Sequence, residues 1–249
     1  MRINRFLASA GLGSRRACEE LVRSGRVLVN NAVVTDLATQ VSSEDIVRVG
    51  RKIVMAQSHI YFLLNKPKGY LCTRSDELGR KTIFDLVPSD RGRLFHVGRL
   101  DLESEGLIIL TNDGDFAEQL THPSHKIEKE YEVTVSKPFN PDHTAKLLRG
   151  MALESGRAKM EAVHVLAPTR LKIILRQGLK RQIREMLWKV GGYDVRKLVR
   201  IRIGDLTDHR LKTGYWRPLE REEIDLLQKA RKPVKKVAKP ARPPRSPRP

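Results

Sequence analysis

The string HVGRLDLESEGLIILTNDG, from His96 to Gly114, sets one carboxylate among leucines. Asp101 stands between Leu100 and Leu102, just upstream of the unbroken apolar run Leu107-Ile108-Ile109-Leu110. Such a run, bounded by polar residues, reads as one buried strand. Arg99 and Asp101 then fall on the loop entering it, where reactive groups are often mounted on a rigid sheet. The aspartate has two readings: a turn former that marks the strand start, or an ionised carboxylate held at a pocket edge as a nucleophile. Local pattern leaves both open. Other chemistries find less support. Cys18 and Cys72 are far apart and no histidines cluster, so neither a zinc site nor a disulfide framework is expected. A glycosidase or nuclease needs paired carboxylates or a metal cluster, and Asp113 and Asp115 read instead as turn and helix-cap residues. No glycine-rich phosphate loop appears, so no nucleotide cofactor is expected.

The elements that would position these groups fall into two sets. In the first 55 residues or so, INRFLASAG has Ile3, Phe6, Leu7 and Ala10 at helical spacing. Ser14 is a plausible N-cap for RRACEELVRSG, and RVLVNNAVV reads as a hairpin turning at Asn30-Asn31. Arg5, Arg15, Arg16 and Arg23 decorate the helix surfaces. The second set follows a boundary near Ala56–His59. Strands are expected at YFLLNK, RLFHVG, KEYEVTV, KMEAVHVL, LKIILRQG and VRKLVRIRIG. Helices are expected at TIFDLV, DFAEQLTHP, DHTAKLLRG, KRQIREMLWKVGG and EREEIDLLQKA. Irregular alternation of this kind indicates an α+β domain on a mixed or antiparallel sheet. Within KRQIREMLWKVGG, Ile183, Met186, Leu187 and Val190 form a buried stripe, leaving Arg181 and Arg184 beside it.

Charge narrows the partner. The 249 residues carry a formal net charge of +19. The last 19 residues, RKPVKKVAKPARPPRSPRP, hold +8 of it with no acid, which leaves +11 on the remainder. An excess of this size favours a polyanion, since each neutralised phosphate releases counterions. The tail has almost nothing to bury and is expected to be extended or disordered. No apolar stretch approaches the roughly twenty residues that span a bilayer, and unpaired cysteines suit a reducing compartment. A soluble, cytoplasmic protein is expected.

INRFLASAGLGSRRACEELVRSGRVLVNNAVV resembles the S-four domain, a small RNA-binding module, and its Ser-Arg-Arg at a helix start suits phosphate binding. HVGRLDLESEGLIILTNDG, together with LLNKPKG, EKEYEVTV, QGLKRQIREML and VRKLVRIRIGDL in that order, resembles the ribosomal-RNA pseudouridine synthases that carry such a domain. The resemblance covers about residues 1–228. It implies an S-four-like RNA-binding domain over 1–57, a mixed or antiparallel-sheet synthase domain over 59–230 and a basic tail over 231–249.

The same resemblance implies conversion of selected uridines in ribosomal RNA to pseudouridine, with no cofactor and no metal. Large-subunit RNA is preferred as the substrate, and the working form is expected to be a monomer; a non-catalytic ribosome-assembly protein is the rival. Asp101 matches the family's nucleophile, and Arg184 its ion-pair partner, since a neighbouring guanidinium favours the ionised carboxylate. Tyr131 matches the tyrosine that stacks on the target base, and Arg99 an arginine holding the flipped-out nucleotide. Leu198 corresponds to an apolar pocket residue, with core packing the alternative. Lys129 and Arg181 are expected at the substrate, and Lys66 and Lys68, on the Pro-Lys-Gly turn, at RNA backbone. Arg5, Ser14, Arg15 and Arg16 are the expected RNA contacts of the first domain.

Overall fold

The computed structural model describes residues 1–88, 90 and 92–230; the basic tail lies outside the described residues. The chain opens with helices α1 (Ile3–Ser9) and α2 (Arg15–Arg23), followed by strands β1 (Val27–Val29), β2 (Ala32–Val34), β3 (Val47–Val49) and β4 (Lys52–Val54). Ser14 caps α2, its hydroxyl accepting from the Ala17 N–H at 3.1 Å. The β1–β2 turn is made by Asn30 and Asn31, both at positive φ (50° and 67°), the pairing that a tight hairpin requires. Strand order is β2-β1-β3-β4, all antiparallel. Ile3, Leu7, Cys18, Val22, Val27, Val41 and Val47 close a core of their own between the two helices and this small sheet.

From residue 60 a second architecture begins. Its elements are β5 (Tyr61–Lys66), β6 (Phe95–Val97), β7 (Glu105–Thr111), α3 (Gly114–Thr121), β8 (Lys129–Val135), α4 (His143–Arg149), β9 (Met151–Leu153) and β10 (Gly156–Ala158). Then come β11 (Ala162–Ala167), β12 (Arg170–Leu175), α5 (Gln182–Gly191), β13 (Val195–Ile203), β14 (Leu206–Thr207), β15 (Trp216–Pro218) and α6 (Arg221–Lys229). The main sheet runs β11-β12-β8-β13-β7-β5-β15, with β6 and β14 attached to β7 and β13. Every pairing is antiparallel except β13 with β7, which run parallel at the sheet's centre. The fold is α+β, a small helix-and-sheet domain followed by a mixed sheet. Among the described residues no helix is long and apolar enough to cross a membrane.

The run Leu107–Leu110 is unbroken because β7 is covered on both faces. Ile108 and Leu110 pack with Leu64, Tyr131, Val133 and Leu198 beneath Ile183, Met186 and Leu187 of α5. Leu107 and Ile109 face the other way, onto Phe116 and Leu120 of α3 and Leu227 of α6. TIFDLV forms only a turn of 3-10 helix (Ile83–Leu86), held by reciprocal bonds between Thr82 and Asp85. The sequence reading had no counterpart for β4, β9, β10, β14 or β15. Each is three residues or fewer, too short to show a period.

The parallel β13–β7 pair depends on Gly106. Its φ is +108°, and a Cβ there would overlap the backbone carbonyl of Arg200 across the pair. Side chains are excluded both by conformation and by space. Gly106→Ala is therefore expected to lower stability by at least about 2 kcal/mol, read as a shift in the urea midpoint with unchanged slope.

Candidate active site

Asp101 sits at the entrance to β7, half-exposed, on the wall of a small cleft of about 80 Å³. Three pieces of the sheet's centre converge there. Tyr131 comes from β8, Leu198 from β13 and Leu175 from the end of β12, and Arg181 and Arg184 lean in from the start of α5. Tyr131 and Leu198 are buried and form the apolar floor. Arg99 is exposed at the rim, two residues before the carboxylate. Residues from four separate stretches of the chain thus share one cleft.

The loop carrying Asp101 is held from below by Lys66. This lysine, expected at RNA backbone, is fully buried at 0% exposure. Its ammonium donates to the backbone carbonyls of Ser104 (2.7 Å), Pro67 (3.1 Å), Asp101 (3.2 Å) and Leu102 (3.4 Å). It cannot reach a phosphate; it fastens the loop to the end of β5. Burial pushes its pKa down, while Cys72, Glu105, Asp101 and Glu103 oppose that. Two further bonds pin the same loop: Gly69 N–H to the Leu102 carbonyl at 2.9 Å, and Leu100 N–H to the Cys72 sulfur at 3.4 Å. Lys68 is exposed but ion-paired with Glu103 at 2.7 Å.

Arg184 also departs from expectation. Its guanidinium makes no ion pair with Asp101; it donates instead to the carbonyls of Val195 (2.8 Å) and Glu103 (3.3 Å), tying α5 to the Asp101 loop. Burial and the nearby Arg181 push its pKa down, and the charges of Asp101 and Glu103 push it back up, so the carboxylate lies within electrostatic reach. Arg181, exposed, adopts a left-handed conformation (φ 50°) at the N-cap of α5. The Arg184 Nε and the Ser104 hydroxyl, both on the cleft's residues, are buried with no protein partner.

Several residues were not anticipated. Gln182, 3% exposed, ties the approach to α5 by donating to the Lys159 carbonyl at 2.9 Å. Arg200, 2% exposed, donates from Nε to the Leu107 carbonyl at 2.6 Å, while its Nη2 has no partner. Its signal was an arginine in phase with Leu198 on the inward face of β13. Lys129 lies near it on the face of β8 that carries Tyr131, but it does not line the cleft; its amine donates to the Ile127 carbonyl at 3.2 Å.

In the first domain, Arg5 is ion-paired with Asp115 of α3, and Arg15 packs against Gly114. Both therefore meet the second domain, while Arg16 stays exposed. The space between, about 390 Å³, is lined by Arg5, Arg15, Arg74, Arg93, Asp113 and Asp115. It is larger than the Asp101 cleft, but its carboxylates are already engaged. Asp113 accepts from the Asp115 and Phe116 N–H groups and from the Tyr61 hydroxyl, and Asp115 pairs with Arg5.

Two expectations follow. Lys66→Met leaves four carbonyls without their cation, and a loss of about 2–4 kcal/mol in unfolding free energy is expected from denaturant titration. Burial, with Arg200 beside it, pushes Lys129 down to about 8 from 10.5. Between those values the unfolded chain holds more protons than the folded one, so stability should rise with pH across this window; below pH 8 the cost is present in full. Relative to Lys129→Met, the wild type is expected to gain up to about 3 kcal/mol from pH 7.5 to 10.5.

Comparison with known proteins identifies the family. The RNA pseudouridylate synthase family matches residues 60–189, and the S4 domain matches residues 1–47. An uncharacterized RNA pseudouridine synthase of Mycobacterium leprae is 40% identical over 238 residues, 92% of this chain and 93% of the relative. The ribosomal large subunit pseudouridine synthase B of Bacillus subtilis is 35% identical over 233 residues, 91% and 95% of the two chains. A crystal structure of a pseudouridylate synthase superposes with a TM-score of 0.67 at 29% identity, covering 91% of this chain and 99% of the other. With an S4 domain at its start and the Asp101 cleft at the centre of its main sheet, the chain belongs to the RNA pseudouridylate synthase family.

Proposed function

We propose that this enzyme isomerises specific uridines of large-subunit ribosomal RNA, with Asp101 as the nucleophile. The observation that carries the reading is the convergence of Asp101, Tyr131, Arg184 and Leu198 on one cleft, with the Asp101 loop braced by a buried lysine. The names of the relatives from Bacillus subtilis and Vibrio cholerae support the large subunit as substrate.

The reaction breaks the bond between uracil N1 and the ribose anomeric carbon and forms one from C5 to the same carbon. The C5 proton is lost and N1 gains one, so atoms and charge balance without a cofactor. Asp101 captures one fragment while the detached base turns over, and the bond to its carboxylate breaks again before the product leaves, which regenerates the free carboxylate. Tyr131 and Leu198 give the base an apolar floor, which keeps it from escaping, and a flipped-out base finds its platform on such a ring. Arg99 and Arg181, exposed on the rim, offset the phosphates on either side.

Residues 1–57 serve as the RNA anchor and 59–230 as the catalytic domain of a cytoplasmic monomer. Arg16 offers its charge outward from the start of α2. Asp101→Asn should retain the fold and RNA affinity but lower pseudouridine formation by at least about a thousandfold. Isomerisation at the wild-type rate in that variant would dismiss Asp101 as nucleophile. The site is found by mapping pseudouridines in ribosomal RNA from cells lacking the protein; an unchanged map would favour the rival, a non-catalytic assembly factor.

A further inference from the structure

Helix α5 has a second face. Ile183, Met186, Leu187 and Val190 enter the core, whereas Arg181, Arg184 and Trp188, spaced by three and four residues, lie along an outer stripe with Glu185 beside them. Trp188 is 59% exposed. The chain has two tryptophans, and the other is treated in the usual way. Trp216 packs on Phe62 with ring centroids 4.6 Å apart. No aromatic partner covers Trp188 among the described residues.

The indole does not stand on a featureless surface. It lines an open groove of about 470 Å³ together with Arg181, Arg184, Tyr193, Val195 and Arg196. Arg181 and Arg184 belong also to the cleft that holds Asp101. The groove therefore adjoins that cleft across these two side chains, and its arginines outnumber its acids, Glu185 and Asp194. A wide apolar ring between cations, beside a site that admits one extruded nucleotide, has the chemistry of a stacking platform for single-stranded nucleic acid. Flipping a nucleotide out of its stack leaves a neighbour with a bare face, and an indole can cover it.

We propose that Trp188 stacks on an unpaired RNA base next in sequence to the target uridine, with Arg181 and Arg196 on the flanking phosphates. The proposal rests on the reading that Asp101's cleft receives a uridine of RNA. Trp188 thereby becomes a specificity element, since it rewards a target with a single-stranded neighbour over one in continuous duplex.

The test uses the full chain and a nine-nucleotide RNA of adenosines with one central uridine, labelled at its end. Binding is read by anisotropy, which needs no catalysis. Trp188→Ala should raise Kd about tenfold or more and Trp188→Phe by much less, because stacking needs an aromatic face. Replacing the two adenosines beside the uridine with abasic residues should erase the difference between wild type and Trp188→Ala. In the Trp216→Phe background, RNA should quench the remaining tryptophan emission; if that variant fails to fold, the difference between wild type and Trp188→Phe supplies the same signal. Equal affinity of wild type and Trp188→Ala, including no binding by either, or an unquenched indole in the complex, overturns the platform. Pseudouridine formation is assayed separately on ribosomal RNA. A Trp188→Ala enzyme with unaltered KM and kcat would remove the platform and leave the reaction standing. A wild type that binds through Trp188 but makes no pseudouridine would do the reverse.

Discussion

A charged amine held out of reach of water is the constraint on which the active site turns. Burying an ammonium costs several kcal/mol after relaxation, and only dense solvation by the protein makes it tolerable. Lys66 obtains that from four carbonyl oxygens, three of them on the loop from Asp101 to Ser104. The dependence is mutual. Lys66 needs those carbonyls to remain charged in the core, and the loop needs Lys66 because its carbonyls point inward, away from any strand partner. A reacting group must be fixed within a fraction of an ångström, and the Asp101 loop is fixed through its backbone. The carboxylate side chain remains free for substrate.

Around that brace the charge balance is lopsided. Lys66, Arg99, Arg184, Arg200 and Lys129 gather around Asp101, Glu103 and Glu105, and Lys66 and Arg200 are buried. Burial disfavours a charged amine, and like charges in a low-dielectric interior repel; the two together push Lys129 and Arg184 down. Such an arrangement is costly for the free protein and favourable for one carrying an anionic chain. The same logic extends outward along α5, where Arg181 and Arg196 flank an uncovered indole.

How much of this was legible depended on whether a residue's role leaves a period. β7 and α5 were visible because apolar runs of four and a three-four stripe are long enough to distinguish. The Asn30-Asn31 hairpin was visible because two residues at positive φ have few candidates. Strands β9, β10 and β15, three residues each, leave no such trace. Lys66 was misread for a different reason: lysines beside a Pro-Lys-Gly turn are almost always surface groups, and burial is decided by a loop 35 residues away. Asp101 itself was never settled by its neighbours in sequence. The ordered family motifs, not the local pattern, favoured a reactive carboxylate, and the structure adds that Tyr131, Leu198 and Arg184 line the same cleft. Arg184 was correctly placed at the cleft, yet its bonds go to backbone, a distinction that no spacing encodes.

The contact between Arg5 and Asp115 has a consequence for the size of substrate. Asp101 lies at the entrance to β7, and the first domain docks just past its exit, on the start of α3. Seven residues of strand separate the two, about 20 Å at the rise of an extended chain. β7 therefore acts as a ruler. If the first domain and the Asp101 cleft hold one RNA, as proposed, that RNA bridges this interval.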